Sequence, residues 1–185
     1  MTHVNKKRRR KIMADKSGIS VFAKAGKYLT FKLGTEEYGL EILKVREIIG
    51  LMNITAVPRS PDYVRGVINL RGTIIPVVDL RKKFGMESTE ETEQSCIIVV
   101  EVTKEDGSEA IGVFVDAVSE VLDIAESNIE RAPSLGAGVN TDFILGMAKI
   151  KDSVKILLNV EEVLTNNELI EISKVAVQPD SDIQK

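Results

Sequence analysis

Gly66-Val67-Ile68-Asn69-Leu70-Arg71-Gly72-Thr73-Ile74-Ile75-Pro76-Val77-Val78-Asp79-Leu80-Arg81 reads as two apolar strands joined by a tight turn with Asn, Arg and Gly at its corners. Gly72 supplies a backbone angle that such a turn needs. Arg71 is a permanent, planar charge set beside dense apolar sequence, which points to a carboxylate partner. That partner serves either a structural salt bridge or a binding role. Pro76 has no N–H to give a ladder, so it demands an edge, a bulge or a strand end.

Upstream of this hairpin, Val57-Pro58-Arg59-Ser60-Pro61 excludes central sheet and mid-helix alike. Glu41–Ile49 is ambiguous: its start fits one helical turn, and Val45–Ile49 reads better as strand. Tyr28–Gly34 alternates, with Leu29, Phe31 and Leu33 on one face and Tyr28, Thr30 and Lys32 on the other. A turn at Gly34–Glu37 leads to a return strand from Tyr38. Downstream, residues 85–94 (GMESTEETEQ) form an acidic spacer and the best internal boundary. Beyond it, Cys96–Thr103 and Ala110–Val115 form a strand pair, Asp116–Ile124 continues in β pattern, and Ser127 is placed to N-cap a short helical turn. A Gly-rich loop at 133–142 precedes a last hairpin, Phe143–Ile150 with Val154–Val160. A C-terminal helix then begins near Asn159 and extends toward Ile172. About ten short strands at this turn spacing, with no βαβ alternation, predict an all-β fold of two small barrels.

Composition agrees. The 185 residues hold no Trp, three Tyr and five Phe, so the core rests on Val, Ile and Leu, of which Val and Ile suit strands. Net charge is −3 but segregated. Residues 1–27 hold nine Lys and Arg against one Asp, including the block Lys6-Lys7-Arg8-Arg9-Arg10-Lys11, and have no period. They are expected to be a disordered basic tail. The remainder is acidic, whereas a nucleic-acid reader concentrates basic charge on its folded part. A nucleic-acid or anionic-surface function would rest on residues 6–11 alone.

Catalytic chemistry lacks its usual residues. The one histidine, His3, lies in the tail, and the one cysteine, Cys96, heads an apolar strand with no ordered histidine to activate it. Cys96 therefore reads as a buried, inert thiol, and a single cysteine fits a reducing cytoplasm. No phosphate-cradling or dinucleotide motif is present. Neither enzyme activity, a cofactor nor a metal is expected, and no apolar run reaches the ~20 residues that cross a bilayer.

Several blocks in order resemble the CheW family of chemotaxis coupling proteins. They are Tyr28–Gly34, Tyr38–Ile48, the Asn69-Leu70-Arg71-Gly72 hairpin with Pro76–Arg81, Gly112–Leu122 and Leu157–Glu161. The resemblance covers Tyr28 to about Leu164. It implies two SH3-like five-stranded barrels packed through a shared apolar seam over residues 28–165, with a boundary near 85–94 and possible strand exchange between the barrels. Residues 166–185 would then be a helix end and a frayed tail. It further implies a cytoplasmic, non-catalytic adaptor, monomeric alone and recruited to receptor clusters at the inner membrane. Its partners would be the cytoplasmic tip of chemoreceptors and the regulatory domain of the CheA kinase, with neither nucleic acid nor membrane insertion. Receptor contact is implied for Val45, Glu47, Arg71, Val118 and Val121, with Glu47 and Arg71 paired. Kinase contact is implied for Ile54, Val57 and Leu135. For the valines the competing assignment is core, and for Leu135 it is packing back onto its own barrel. The basic tail departs from the family pattern.

Overall fold

A computed structural model describes residues 23–137 and 140–164. Its eleven strands are β1 Gly26–Leu33, β2 Glu36–Glu41, β3 Val45–Gly50, β4 Val64–Leu70, β5 Thr73–Asp79, β6 Cys96–Lys104, β7 Gly107–Val115, β8 Ala117–Ile124, β9 Ile129–Glu130, β10 Ile144–Ile150 and β11 Ser153–Leu158. Two one-turn helices, α1 Leu80–Lys83 and α2 Val160–Val163, follow β5 and β11. One sheet has the order β8-β1-β2-β11-β10-β9 and the other β3-β6-β7-β5-β4. The molecule is therefore all-β, with six and five strands where the sequence suggested five and five; the sixth is the two-residue β9.

The chain crosses between sheets from β2 to β3 and from β7 to β8. The acidic spacer does not separate the sheets, because it joins β5 to β6 inside the five-stranded one. That corrects the expected boundary. Composition shifts mark solvated connections, whereas sheet membership follows from pairings between strands far apart in sequence. Two of these are parallel, β2 with β11 and β5 with β7.

Strand alternation divides the core into three. On β1, Leu29, Phe31 and Leu33 enter the largest cluster, which also takes Cys96, Ile98, Val100 and Val102 from β6 and forms the seam between the sheets. Tyr28 faces the other way, into a cluster inside the six-stranded sheet with Ile124, Leu145 and Leu157. Ile97 and Val99 likewise turn from the seam into a cluster with Ile68, Val77 and Phe114. With a core on both faces, β6 needs no polar alternation, which is why it reads Cys-Ile-Ile-Val-Val.

Local chemistry sets the turns. Arg71 (φ 52°) and Gly72 (φ 87°) both take positive φ, the two-residue turn whose twist suits a hairpin. The Asn69 side-chain oxygen accepts the Gly72 N–H at 2.8 Å. Pro76 lies opposite Val67 of β4, just before the parallel ladder to β7 begins at Val77, so it stands at an end of that ladder. Ile42–Lys44 forms a single 3-10 turn before β3, resolving the ambiguous segment. Another such turn, Glu126–Asn128, is preceded by Ala125 with no side-chain cap; Ser127 lies inside it and does not cap it. Asn159 caps α2, accepting the Glu161 N–H at 3.1 Å. The expected extension toward Ile172, residues 1–22 of the basic tail and residues 138–139 of the Gly-rich loop lie outside the described residues. Residues 23–27, expected to belong to the disordered tail, are part of the fold: Ala23 is buried, its N–H donates to the Leu145 carbonyl at 2.9 Å, and Gly26 and Lys27 open β1.

Ion pairs tie the two sheets together. Arg81 on α1 donates from Nε to Asp116 Oδ1 at 2.8 Å and from Nη2 to Oδ2 at 2.7 Å. Asp116 also accepts the Gly34 N–H at 2.7 Å, and Arg81 holds the spacer through the Glu87 carbonyl at 3.0 Å. One carboxylate thus joins the β1–β2 turn to the end of β5. Glu161 of α2 does the same elsewhere, accepting Lys44 Nζ at 2.8 Å and the Thr103 N–H at 3.1 Å.

Candidate protein-interaction surface

β3 and β4 are the two edges of the five-stranded sheet, and Glu47 and Arg71 meet between them. Arg71 on the β4–β5 turn donates from Nη1 and Nη2 to the two carboxylate oxygens of Glu47 on β3, both at 2.8 Å. This is the fork-on-fork geometry that arginine makes and lysine cannot. The expected pair is present, and Arg71 remains largely exposed at 73%. Hydrogen bonds from Arg71 hold the Glu47 carboxyl below its usual range. Two residues before Glu47, Val45 is half-buried against the seam.

β8 is an edge of the six-stranded sheet. Its cross-strand pairs Leu29↔Val121 and Phe31↔Val118 put both valines on the seam side of the sheet. Val118 packs against the seam, whereas Val121 overhangs it at 49% exposure. Beside Val118 lies an open depression of about 420 Å³ lined by Lys32, Glu37, Gln94, Cys96, Ala117, Val118 and Ser119. Within it Glu37 accepts Ser119 Oγ at 3.0 Å and pairs with the buried ammonium of Lys155. The Lys155 hydrogen bond lowers the Glu37 pKa. Burial pushes the Cys96 thiol upward, so the thiolate needed for reactivity is disfavoured.

The kinase-side candidates occupy both sheets. Ile54 and Val57 are half-buried in the connection from β3 to β4. Between them Thr55 makes an antiparallel bridge to Val67, with N–H···O distances of 2.8 and 2.9 Å, so this connection lies along the outer edge of β4. Ile54 rests on the core of the five-stranded sheet. Leu135, on the loop between β9 and β10, is 53% exposed and does not tuck onto its own barrel.

Sequence reading missed Leu43, which is 94% exposed in the turn directly before Val45. The signal was the ambiguity of residues 41–49, because one turn inserted between strands leaves its middle residue without a face to bury. Among the described residues, no three His, Cys, Asp or Glu cluster to hold a metal, and no helix is long and apolar enough to cross a membrane. What the geometry offers is contact surface: apolar side chains at strand edges and loops, fixed by ion pairs.

The CheW-like domain model matches residues 27–168, and the chain belongs to the CheW family. Chemotaxis protein CheW of Klebsiella aerogenes is 36% identical over 149 residues, covering 80% of this chain and 87% of that protein. Chemotaxis protein CheW of Bacillus subtilis is 33% identical, covering 72% and 81%. The crystal structure of scaffolding protein TtCheW from Thermoanaerobacter tengcongensis superposes with a TM-score of 0.69 at 38% identity. It covers 78% of this chain and 95% of its own. The two curled sheets are the paired SH3-like barrels of that family.

Proposed function

We propose that this protein is a non-catalytic chemotaxis adaptor that couples the cytoplasmic tip of chemoreceptors to the regulatory domain of the CheA histidine kinase. It acts in the cytoplasm, as a monomer when alone, and joins receptor clusters at the inner membrane through its partners. Family membership supports the role. The observation that carries the receptor side is the overhang of Val121 beside half-buried Val118 on an edge strand. A β-branched apolar side chain at 49% exposure adds little to the core, yet fits the apolar stripe of a helical hairpin. Val45 and the Glu47–Arg71 pair form the second half of the receptor surface, and Ile54, Val57 and Leu135 face kinase domains.

Binding of a receptor cytoplasmic fragment and of the kinase regulatory domain, measured separately by calorimetry, tests the assignment. Val121→Lys should weaken receptor binding more than tenfold, a loss above about 1.4 kcal/mol, with kinase binding and melting temperature near wild type. A collapse of melting temperature would return Val121 to the core. Unchanged receptor binding would remove β8 from the receptor surface.

A further inference from the structure

In a regular strand, residues three apart point to opposite faces, because side chains alternate with period two. Val118 and Val121 are three apart and share a face. The reason is a change of register: Leu29 and Phe31, two apart on β1, pair with Val121 and Val118. Ser119 and Glu120 together oppose Thr30 alone, which is a β-bulge. Removing the bulge would turn one valine to the far side of the sheet.

Thr30 holds this bulge. Its side chain is fully buried and points at the backbone of Glu120. The hydroxyl donates to the Glu120 carbonyl at 2.9 Å and accepts the Glu120 N–H at 3.2 Å. Both main-chain groups of a bulge residue, which the disrupted ladder would otherwise leave unmatched, are thus met by one hydroxyl. A valine would fill the same volume and satisfy neither. Glu120 itself is exposed on an edge strand, where no further strand lies beyond it to hold the register.

We propose that Thr30 is a positioning residue for receptor recognition: its hydroxyl fixes the Ser119–Glu120 bulge and thereby keeps Val118 and Val121 on one face. The inference rests on β8 being receptor-facing, and its test separates the two. Thr30→Val should weaken binding of the receptor fragment about tenfold, as expected if the paired-valine arrangement falls to about a tenth of the population. Thr30→Ser, which keeps the hydroxyl, should bind within about twofold of wild type by the same relation. Kinase-domain binding should be unchanged in both. Equal loss of receptor and kinase binding in Thr30→Val would reduce Thr30 to a general structural role and overturn the inference. So would full receptor affinity in Thr30→Val while Val121→Lys binds poorly. Full affinity in Val121→Lys would instead defeat the receptor-facing reading itself. Hydrogen exchange on the wild-type protein needs no variant to fold. The Glu120 amide should exchange slowly despite its edge position, and fast exchange there would refute the clamp.

Discussion

Arg71 holds a backbone φ of 52°, in the left-handed region that non-glycine residues enter at a cost. It does so at a hairpin turn where glycine would be the easier choice, and its guanidinium is spent on Glu47 at the surface. Strain kept at an exposed charged residue suits recognition better than stability. Arg71→Gly separates the two, because it relaxes the backbone while removing the fork. The melting temperature should stay level or rise slightly, and receptor binding should fall. By NMR titration the Glu47 carboxyl, now held low by Arg71, should move back up toward its ordinary value. A large fall in melting temperature would make the pair a structural staple only.

At the scale of elements, what was legible in the sequence was what local chemistry dictates. Asn69, Arg71 and Gly72 announce their turn, Pro58 and Pro61 their connection, and Cys96–Val100 an apolar strand. What stayed hidden was set at a distance. The parallel pairs β2·β11 and β5·β7 leave no local period, so sheet membership could not be read and the spacer at 85–94 looked like a boundary. The bulge opposite Thr30 was hidden for the same reason, since it exists only in the register against β1. Of the site, the charged pair was readable through family resemblance, whereas the exposure that separates Val121 from core valines needed three dimensions. Gly66 joins both kinds of information. It has φ 142°, and a Cβ there would sit 2.1 Å from the Thr55 carbonyl oxygen and 3.0 Å from the Ile54 side chain. Thr55 cannot bridge to Val67 with that atom in the way. Gly66→Ala should cost about 1–3 kcal/mol from the strained φ alone. It should also strip exchange protection from the Thr55 and Val67 amides and loosen the segment carrying Ile54 and Val57. Retained protection at Thr55 would show that the connection tolerates the side chain.

Across the whole molecule, carboxylates whose pKa values are lowered join the sheets. Burial pushes Asp116 up, but hydrogen bonds from Arg81 and the Gly34 N–H outweigh it. Burial also raises Glu161, and Lys44 with the Thr103 N–H reverses it. A carboxyl with a folded pKa below its unfolded one stabilises the fold above the unfolded pKa, and the benefit is lost as pH falls through the folded pKa. The protein should therefore hold its stability at neutral pH and lose it on acidification below the ordinary carboxylate range. Asp116→Asn should flatten that acid limb and cost about 2 kcal/mol at pH 7, because Arg81 is left largely buried without its counter-charge. An unchanged acid limb would remove Asp116 from the seam's electrostatics. The two barrels also carry the kinase-side candidates apart from each other, Ile54 and Val57 beside β4 and Leu135 on the β9–β10 loop. Two different surfaces on one monomer allow head-to-tail contacts that close into rings or run on as chains. A single surface would allow only one-to-one complexes. Leu135 is the cleaner probe, because its exposed side chain can be shortened without opening a cavity. Leu135→Ser should leave the melting temperature and one-to-one kinase-domain binding near wild type, while light scattering of kinase mixtures shows fewer large assemblies. Equal loss of both would refute the division of labour between the barrels. No loss of either would make Leu135 an exposed apolar residue of the kind every protein surface carries.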